Sequence, residues 1–412
     1  MLGRQALGDM PRILLMSDGD ALAHTTRILE LALELRKDAK VAVGLAGKFE
    51  SIPEHHGIMR FDIPALGAER VREVDLACKA NYYTDQSLAR SVEDELELYS
   101  RWRPDVVVSD FRASCNISTA ISGVLHATVL NASWTHFGSL RTGVPACHPA
   151  VSTPSRMAGL LGPGASSLAR RAIQWTLAPL VPWLEGMELR SANVPFRLAQ
   201  ERHGLPPTSD LFETWASADL VIIADEPGFV GLHSNAPSHF FVAGAIPWKA
   251  GPFAPPPDTS LPFVYLTAGS SGADKSSDIL RDAIRRAGLN VIETQASPFV
   301  ADHQMLDGSL MMRSAATFIC HGGSGTIYQA IEANRYGLFV PAQHDQEWNA
   351  RHAVARGLGE CVFPREATAE GVARRLRYAV DKNDRLPSKE HVACLGGGAT
   401  RAAQRILSLV VS

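Results

Sequence analysis

Short apolar runs alternate with amphipathic stretches along this chain, and that alternation limits the fold more than any other feature. Arg12–Ser17 has the pattern of a buried strand and is closed by the turn residues Asp18-Gly19-Asp20. Ile28, Leu31, Ala32 and Leu35 then recur at the spacing of one helix face. Lys40–Gly44 reads as a second strand. Strand, helix and strand within about 30 residues make a βαβ unit, which implies a parallel sheet. The pattern continues with a helix over Glu93–Trp102, a strand over Asp105–Ser109, a helix over Ala113–Gly123 and a strand over Ala127–Asn131. Thr135–Gly164, rich in Pro, Gly and Ser, reads as loop. An amphipathic helix over Ser167–Gly186 and a strand over Leu220–Ala224 follow.

The alternation pauses in the Pro- and Gly-rich stretch Pro227–Pro262, which reads as a linker with one strand at His239–Val242. It restarts with strands at Pro262–Leu266, Asn290–Thr294, Ala316–Cys320 and Gly337–Val340. Helices are expected over Asp274–Ala287, Gly325–Ala333, Asn349–Gly357, Ala369–Asp381 and Thr400–Val410. The expected fold class is therefore α/β, with two Rossmann-like halves facing each other. The boundaries are 1–226 for the first half, 227–261 for the linker and 262–395 for the second half. The C-terminal helix, 396–412, is expected to pack back on the first half. Open parallel sheets bind ligands beyond the carboxyl ends of their strands, so the cleft between the halves is the expected site.

Composition removes several function classes. A net charge of -3 and a pI near 6.5 give no basic face for a nucleic-acid partner. The six cysteines form no C-x-x-C pair, so neither a zinc site nor a disulfide framework is expected. Their scatter suits a reduced, cytoplasmic setting. No apolar run reaches the roughly 20 residues of a membrane span, and Met1–Pro11 lacks the apolar core of a signal peptide.

The most informative segment is Cys320-His321-Gly322-Gly323-Ser324-Gly325-Thr326, between an expected strand and an expected helix. Its glycines allow a tight turn and the close approach of a bulky anion. The helix N-terminus adds free N–H groups and partial positive charge, and Ser324 and Thr326 add hydroxyl donors. The arrangement suits a diphosphate. Three familiar glycine motifs each fail by one residue. Asp274 stands where a P-loop needs its second glycine, Tyr328 breaks G-x-G-x-x-G, and Ala273 and Thr326 break the nucleophile elbow.

In context, this chain resembles the family 1 glycosyltransferases, especially their bacterial macrolide-type branch. The residues that carry the resemblance are His321–Thr326, then Pro341-Ala-Gln-His-Asp345-Gln346-Glu-Trp-Asn349-Ala350, then Gly357-Leu-Gly359. Upstream, Tyr265-Leu-Thr-Ala-Gly269-Ser270 and Phe299-Val300-Ala301 also match, whereas 135–260 matches weakly. The resemblance implies a GT-B fold and a nucleotide-diphosphate sugar, UDP- or dTDP-linked, as co-substrate, with no further cofactor. It implies that His321 contacts the diphosphate, that Gly323, Ser324, Gly325 and Thr326 line the cradle, and that Ser270 beside Gly269 meets the phosphates from the other side. Val300 falls in the loop that contacts the nucleobase, and Asp345 and Gln346 would hydrogen-bond sugar hydroxyls. Two departures stand out. Gln329 replaces the usual ribose-binding glutamate, and Asn334-Arg335-Tyr336 replaces the usual Gly-Val-Pro.

An acceptor hydroxyl needs a general base near neutral pH. His24, after the first strand in Leu22-Ala-His24-Thr-Thr-Arg27, is the candidate and resembles the family's base, with Ala23 for the usual glycine. Asp110 ends another strand of the same sheet and is the candidate partner that orients the imidazole, although it could also cap the helix that follows. Asp18 and Asp20 are alternative bases. The expected reaction is a single displacement with inversion at the anomeric carbon. No residue cluster has metal-ligand spacing, so no metal is expected.

The acceptor is expected to be a small natural-product-like molecule held against the first half. Trp134, His136, Phe137, Trp175 and Trp183 offer aromatic surface for it. Alternatively, Ser167–Gly186, with Arg170, Arg171 and Trp175, would lie on a membrane in a glycolipid-forming enzyme. An inactive sugar-nucleotide sensor and an epimerase on a related fold complete the rival readings.

Overall fold

The computed structural model describes residues 10–77, 79–138, 144–251, 253–267, 277–294, 305–363, 366–385 and 396–411. The first sheet contains β1 (Arg12–Ser17), β2 (Lys40–Gly44), β3 (Met59–Phe61), β4 (Val106–Asp110), β5 (Leu125–Leu130), β6 (Leu220–Ile223) and β7 (Phe240–Val242). Their order is β3-β2-β1-β4-β5-β6-β7 and every pairing is parallel. Next, β8 (Phe253–Ala254) joins β11 (Met305–Leu306) in a short pair. The second sheet contains β9 (Phe263–Thr267), β10 (Asn290–Thr294), β12 (Thr317–Cys320), β13 (Gly337–Phe339) and β14 (Gly359–Cys361). It is also parallel, in the order β10-β9-β12-β13-β14.

Both faces of the first sheet are covered, so its strands are continuous apolar runs. Successive residues of β1 point to opposite faces. Ile13 and Leu15 meet Ile28, Leu31 and Leu35 of the helix Leu22–Leu35. Leu14 and Met16 meet Leu98, Tyr99 and Trp102 of the helix Asp85–Trp102. The last helix, Gly398–Val411, buries Ala402, Ala403 and Ile406 in the same cluster as Ile28 and Val43, far back in the chain. Full burial of a side chain such as Ile406 contributes about 1.5–3 kcal/mol. The helix docks through glycine. A Cβ on Gly398 would stand 2.1 Å from the Ala245 carbonyl oxygen.

Several sequence expectations change, and the helix expected from Glu93 already begins at Asp85. The strand near residue 240 does not lie in a linker. It is β7, and Val221, Ile222 and Ile223 pair with Phe240, Phe241 and Val242. The residues between β6 and β7 exceed the dozen or so that a parallel crossover needs. The stretch read as loop contains a helix, Pro149–Ala158. Proline is compatible with a first helical turn, where its missing N–H has no partner to lose, and the His148 side chain accepts the Ala150 N–H at 3.2 Å. The helix expected over Ser167–Gly186 is two, Pro163–Leu177 and Val181–Ala192. Pro179 and Pro182 break it at a 3₁₀ turn, Ala178–Leu180. Finally, the helix expected from Asn349 begins at His344, which moves Asp345 and Gln346 into its first turn.

Candidate active site

Parallel sheets hold ligands where strand order reverses, beyond the carboxyl ends. In the first sheet that point lies between β1 and β4, where Ser17 pairs with Asp110. The helix after β1 begins at Leu22, so His24 in its first turn stands over the end of β4. His24 Nδ1 lies 2.7 Å from Asp110 Oδ1. Asp110 is fully buried, while the His24 side chain keeps 20% exposure. With Nδ1–H donated to Asp110, Nε2 is left as the proton acceptor.

Two features fix this pair. Phe111 stacks on the His24 ring with centroids 4.7 Å apart and planes 11° from parallel. Its φ of 53° is rare for an aromatic residue, and Arg112 next to it is anchored on buried Glu95 at 2.7 Å. Arg27, one turn along from His24, donates Nε to Asp110 Oδ2 at 2.5 Å and Nη2 to Oδ1 at 2.9 Å. Burial alone would raise the Asp110 carboxyl, but Arg27 and His24 outweigh it and hold the group below its ordinary range. An arginine among the apolar positions of a helix carries no signal of a partner 83 residues away.

The alternative bases are committed elsewhere. Asp18 is buried and accepts the N–H groups of Asp20 and Leu66. Asp20 accepts the Lys48 N–H at 3.0 Å. Both carboxylates tie loops at the sheet edge.

The second sheet reverses between β9 and β12. After β12, the turn His321-Gly322-Gly323 leads into the helix Ser324–Glu332. Gly322 has φ +92°, and a Cβ there would lie 2.6 Å from the Gln346 carbonyl oxygen, so the turn requires glycine. Gly323 is the N-cap and no side chain caps the helix. The first-turn amides of Ser324, Gly325 and Thr326 therefore keep their capacity for an anion. Burial holds His321 below its ordinary pKa, against the opposing pull of the Thr267 backbone and Asp345. The Gln329 amide lies against Gly308, where a Cβ would meet it at 2.7 Å. Gly269, Ser270 and Val300 lie outside the described residues.

A cavity of about 460 Å³ opens between the halves. Asp75, Tyr82, Trp134 and Phe212 line it from the first half, and Gln343, Asp345 and Trp348 from the second. Asp75, on the helix Ala68–Leu76, was not anticipated. Its Oδ1 accepts the Tyr82 hydroxyl at 2.7 Å and its Oδ2 accepts Gln343 Nε2 at 3.1 Å, across the cleft. Burial pushes its pKa up to about 6; the Tyr82 hydrogen bond opposes that, Asp345 adds to it and His24 opposes it. Those charge effects place His24, Asp75 and Asp345 in one electrostatic neighbourhood, and Asp345 also reaches His321.

Some sequence candidates sit apart from the cavity. Gln346 is buried, accepting the Ala342 N–H at 3.0 Å and donating to Gln343 Oε1 at 2.7 Å, so it braces Gln343. Of the five aromatic candidates, Trp134 lines the cavity. His136 pairs with Asp210 at 2.8 Å and Phe137 packs on Phe240. Trp175 is 82% exposed and Trp183 59% exposed, so both face outward.

Residues 293–406 match the model of the glycosyltransferase family 28 C-terminal domain. A PGL/p-HBAD biosynthesis glycosyltransferase of Mycobacterium tuberculosis is 24% identical over 402 residues, covering 90% of this chain and 85% of that one. The spinosyn forosaminyltransferase SpnP superposes with a TM-score of 0.60 at 18% identity, covering 98% of this chain and 100% of that one. The glycosyltransferase VinC, solved in complex with dTDP, gives a TM-score of 0.56 at 17% identity, with 96% of this chain and 100% of that one covered. The sheet orders, the cleft and these likenesses converge: the chain is a glycosyltransferase, an enzyme of the hexosyltransferase class on a GT-B fold.

Proposed function

We propose that the enzyme moves a hexose from a nucleotide-diphosphate sugar to a hydroxyl of a small acceptor, by one displacement with inversion and without a metal. The observation that carries this reading is the His24–Asp110 hydrogen bond at the reversal point of the first sheet, matched by the turn at residues 321–326 at the reversal point of the second. His24 Nε2 takes the acceptor proton as the oxygen attacks the anomeric carbon. The bond from that carbon to the diphosphate breaks, and the electron pair leaves with the nucleoside diphosphate. The growing charge falls on the amides and hydroxyls of Ser324 and Thr326, the amide of Gly325 and the His321 imidazole. In this reading Asp345 holds sugar hydroxyls, Gln346 acts there through Gln343, and Gln329 meets the ribose. Gly269, Ser270 and Val300 complete the donor site. The likeness to a protein solved with dTDP supports a nucleotide-linked donor.

His24→Ala tests the assignment. Nucleoside diphosphate release from UDP- and dTDP-sugars should fall by at least about 100-fold, while UDP or dTDP still raises the melting temperature as in the parent. Equal loss of binding and turnover would assign His24 to folding.

One observation favours a second reading, in which the acceptor is lipid-like and reached at a membrane surface. Among the described residues no helix is long and apolar enough to cross a membrane. Yet Leu160, Leu161, Leu168, Trp175 and Trp183 are exposed on neighbouring helices, and Leu184 and Met187 of the helix carrying Trp183 line the cavity. The relative from Mycobacterium tuberculosis is named for PGL/p-HBAD biosynthesis. Co-sedimentation with vesicles separates the readings.

A further inference from the structure

Behind the base, a line of buried hydrogen bonds runs out of the first half and into the donor helix. Arg27, 6% exposed, holds Asp110 with two nitrogens and donates Nη1 to Asn131 Oδ1 at 3.1 Å. Asn131 Nδ2 donates to Asp225 Oδ1 at 2.7 Å. Asp225 lies just beyond β6, is 1% exposed, and also accepts the Ala132 N–H at 2.6 Å. From the other half, the Tyr328 hydroxyl donates to Asp225 Oδ1 at 2.6 Å and accepts the Glu226 N–H at 3.2 Å. Tyr328 lies on the helix Ser324–Glu332, one turn after the residues assigned to the diphosphate. Burial, with Asp225 adding to it, raises its pKa well above the ordinary value, so it stays a donor.

The order of charges along this line is telling. Asp225 is negative, Arg27 positive and Asp110 negative, with His24 at the end. Without an added proton on His24 the line carries one uncompensated negative charge. When His24 takes the acceptor proton, the signs alternate and cancel. The amide of Asn131 can face only one way, because Arg27 offers it a donor and Asp225 an acceptor.

We infer that Asp225 and Tyr328 are positioning residues for sugar transfer, which act through Asn131 and Arg27 to hold Asp110 on His24 while the donor helix is docked. The inference rests on the reading of His24 as the base. The other charged groups facing His24 are Asp110 at the end of β4, Arg27 on its own helix and Asp75 on the helix Ala68–Leu76, with Asp345 of the second half acting on Asp75.

Two variants test it. Tyr328→Phe removes one buried hydroxyl and keeps the ring against Phe229. Its kcat should fall about tenfold, the effect of one lost hydrogen bond to a charged group, while UDP or dTDP affinity by calorimetry stays within about twofold. Asp225→Asn removes the charge and keeps the shape. The acidic limb of its kcat/KM profile should move to lower pH, because a distant carboxylate no longer favours the imidazolium. Parent-like kcat and an unmoved limb would overturn the inference. So would losses of turnover and nucleotide affinity in equal proportion, which would make the contact a domain clamp alone. His24→Ala, assayed in parallel, keeps the two ideas apart: if it still transfers sugar, the base assignment is what fails.

Discussion

At the scale of single residues, the site depends on carboxylates held in two opposite states. Asp110 is ionised because Arg27 and His24 outweigh its burial. Asp110→Asn keeps the shape but leaves Arg27 buried without its counter-charge, which should cost about 3–5 kcal/mol in chemical denaturation and abolish measurable transfer. Asp75 shows the opposite balance. Its pKa is raised from 3.8 to about 6, so the fold favours its protonated form. The native state therefore loses stability as pH rises from about 4 to about 6, and the loss is constant above that. Asp75→Asn should raise stability by about 1–3 kcal/mol at pH 7.5 and by nothing at pH 3.5, read by urea melts at both pH values. His24 and Asp110 were legible because Asp110 closes a strand and His24 opens the helix after another, and such positions share one sheet edge. Arg27, Asp75, Asp225 and Tyr328 were not. Their partners lie in distant segments, and no local period marks a polar residue that finds its match only after folding.

At the scale of elements, the glycine turn after β12 is the most constrained piece. Gly322→Ala would force a Cβ to within 2.6 Å of the Gln346 carbonyl oxygen at a φ of +92°. Either the turn or the helix His344–Ala355 must shift, so UDP or dTDP should no longer raise the melting temperature, while far-ultraviolet circular dichroism stays parent-like. The strand–turn–helix was readable because its glycines and its apolar strand agree on one conformation. The helices over 149–192 were read less well. The prolines of Thr135–Gly164 suggest loop, yet Pro149 and Pro163 fall in first turns, where proline costs little, and Pro182 opens a second helix where one was expected. These helices carry the outward-facing Trp175 and Trp183. Replacing both with serine should leave stability within about 0.5 kcal/mol, since exposed side chains contribute little. If the acceptor is reached at a membrane, the same change should weaken vesicle co-sedimentation.

At the scale of the whole molecule, each parallel sheet carries one candidate group at its reversal point, the His24–Asp110 pair in the first and the turn at residues 321–323 in the second. Both reversals follow from strand order, whereas the repeated βαβ pattern implies only that the sheets are parallel. The alternation foretold two α/β halves but not that β7 belongs to the first, because a lone three-residue strand after a Pro- and Gly-rich stretch carries no period. Contacts between the halves, among them Asp75 with Gln343, Asp225 with Tyr328 and Arg170 with Glu366, hold the two sides together. The most direct measurement is a crystal structure with a non-hydrolysable nucleotide sugar and an acceptor bound. The diphosphate should lie against the first-turn amides of Ser324–Thr326, with His24 Nε2 within about 3 Å of the acceptor oxygen that faces the anomeric carbon. A diphosphate bound away from that turn, or an acceptor oxygen beyond reach of His24, would contradict it.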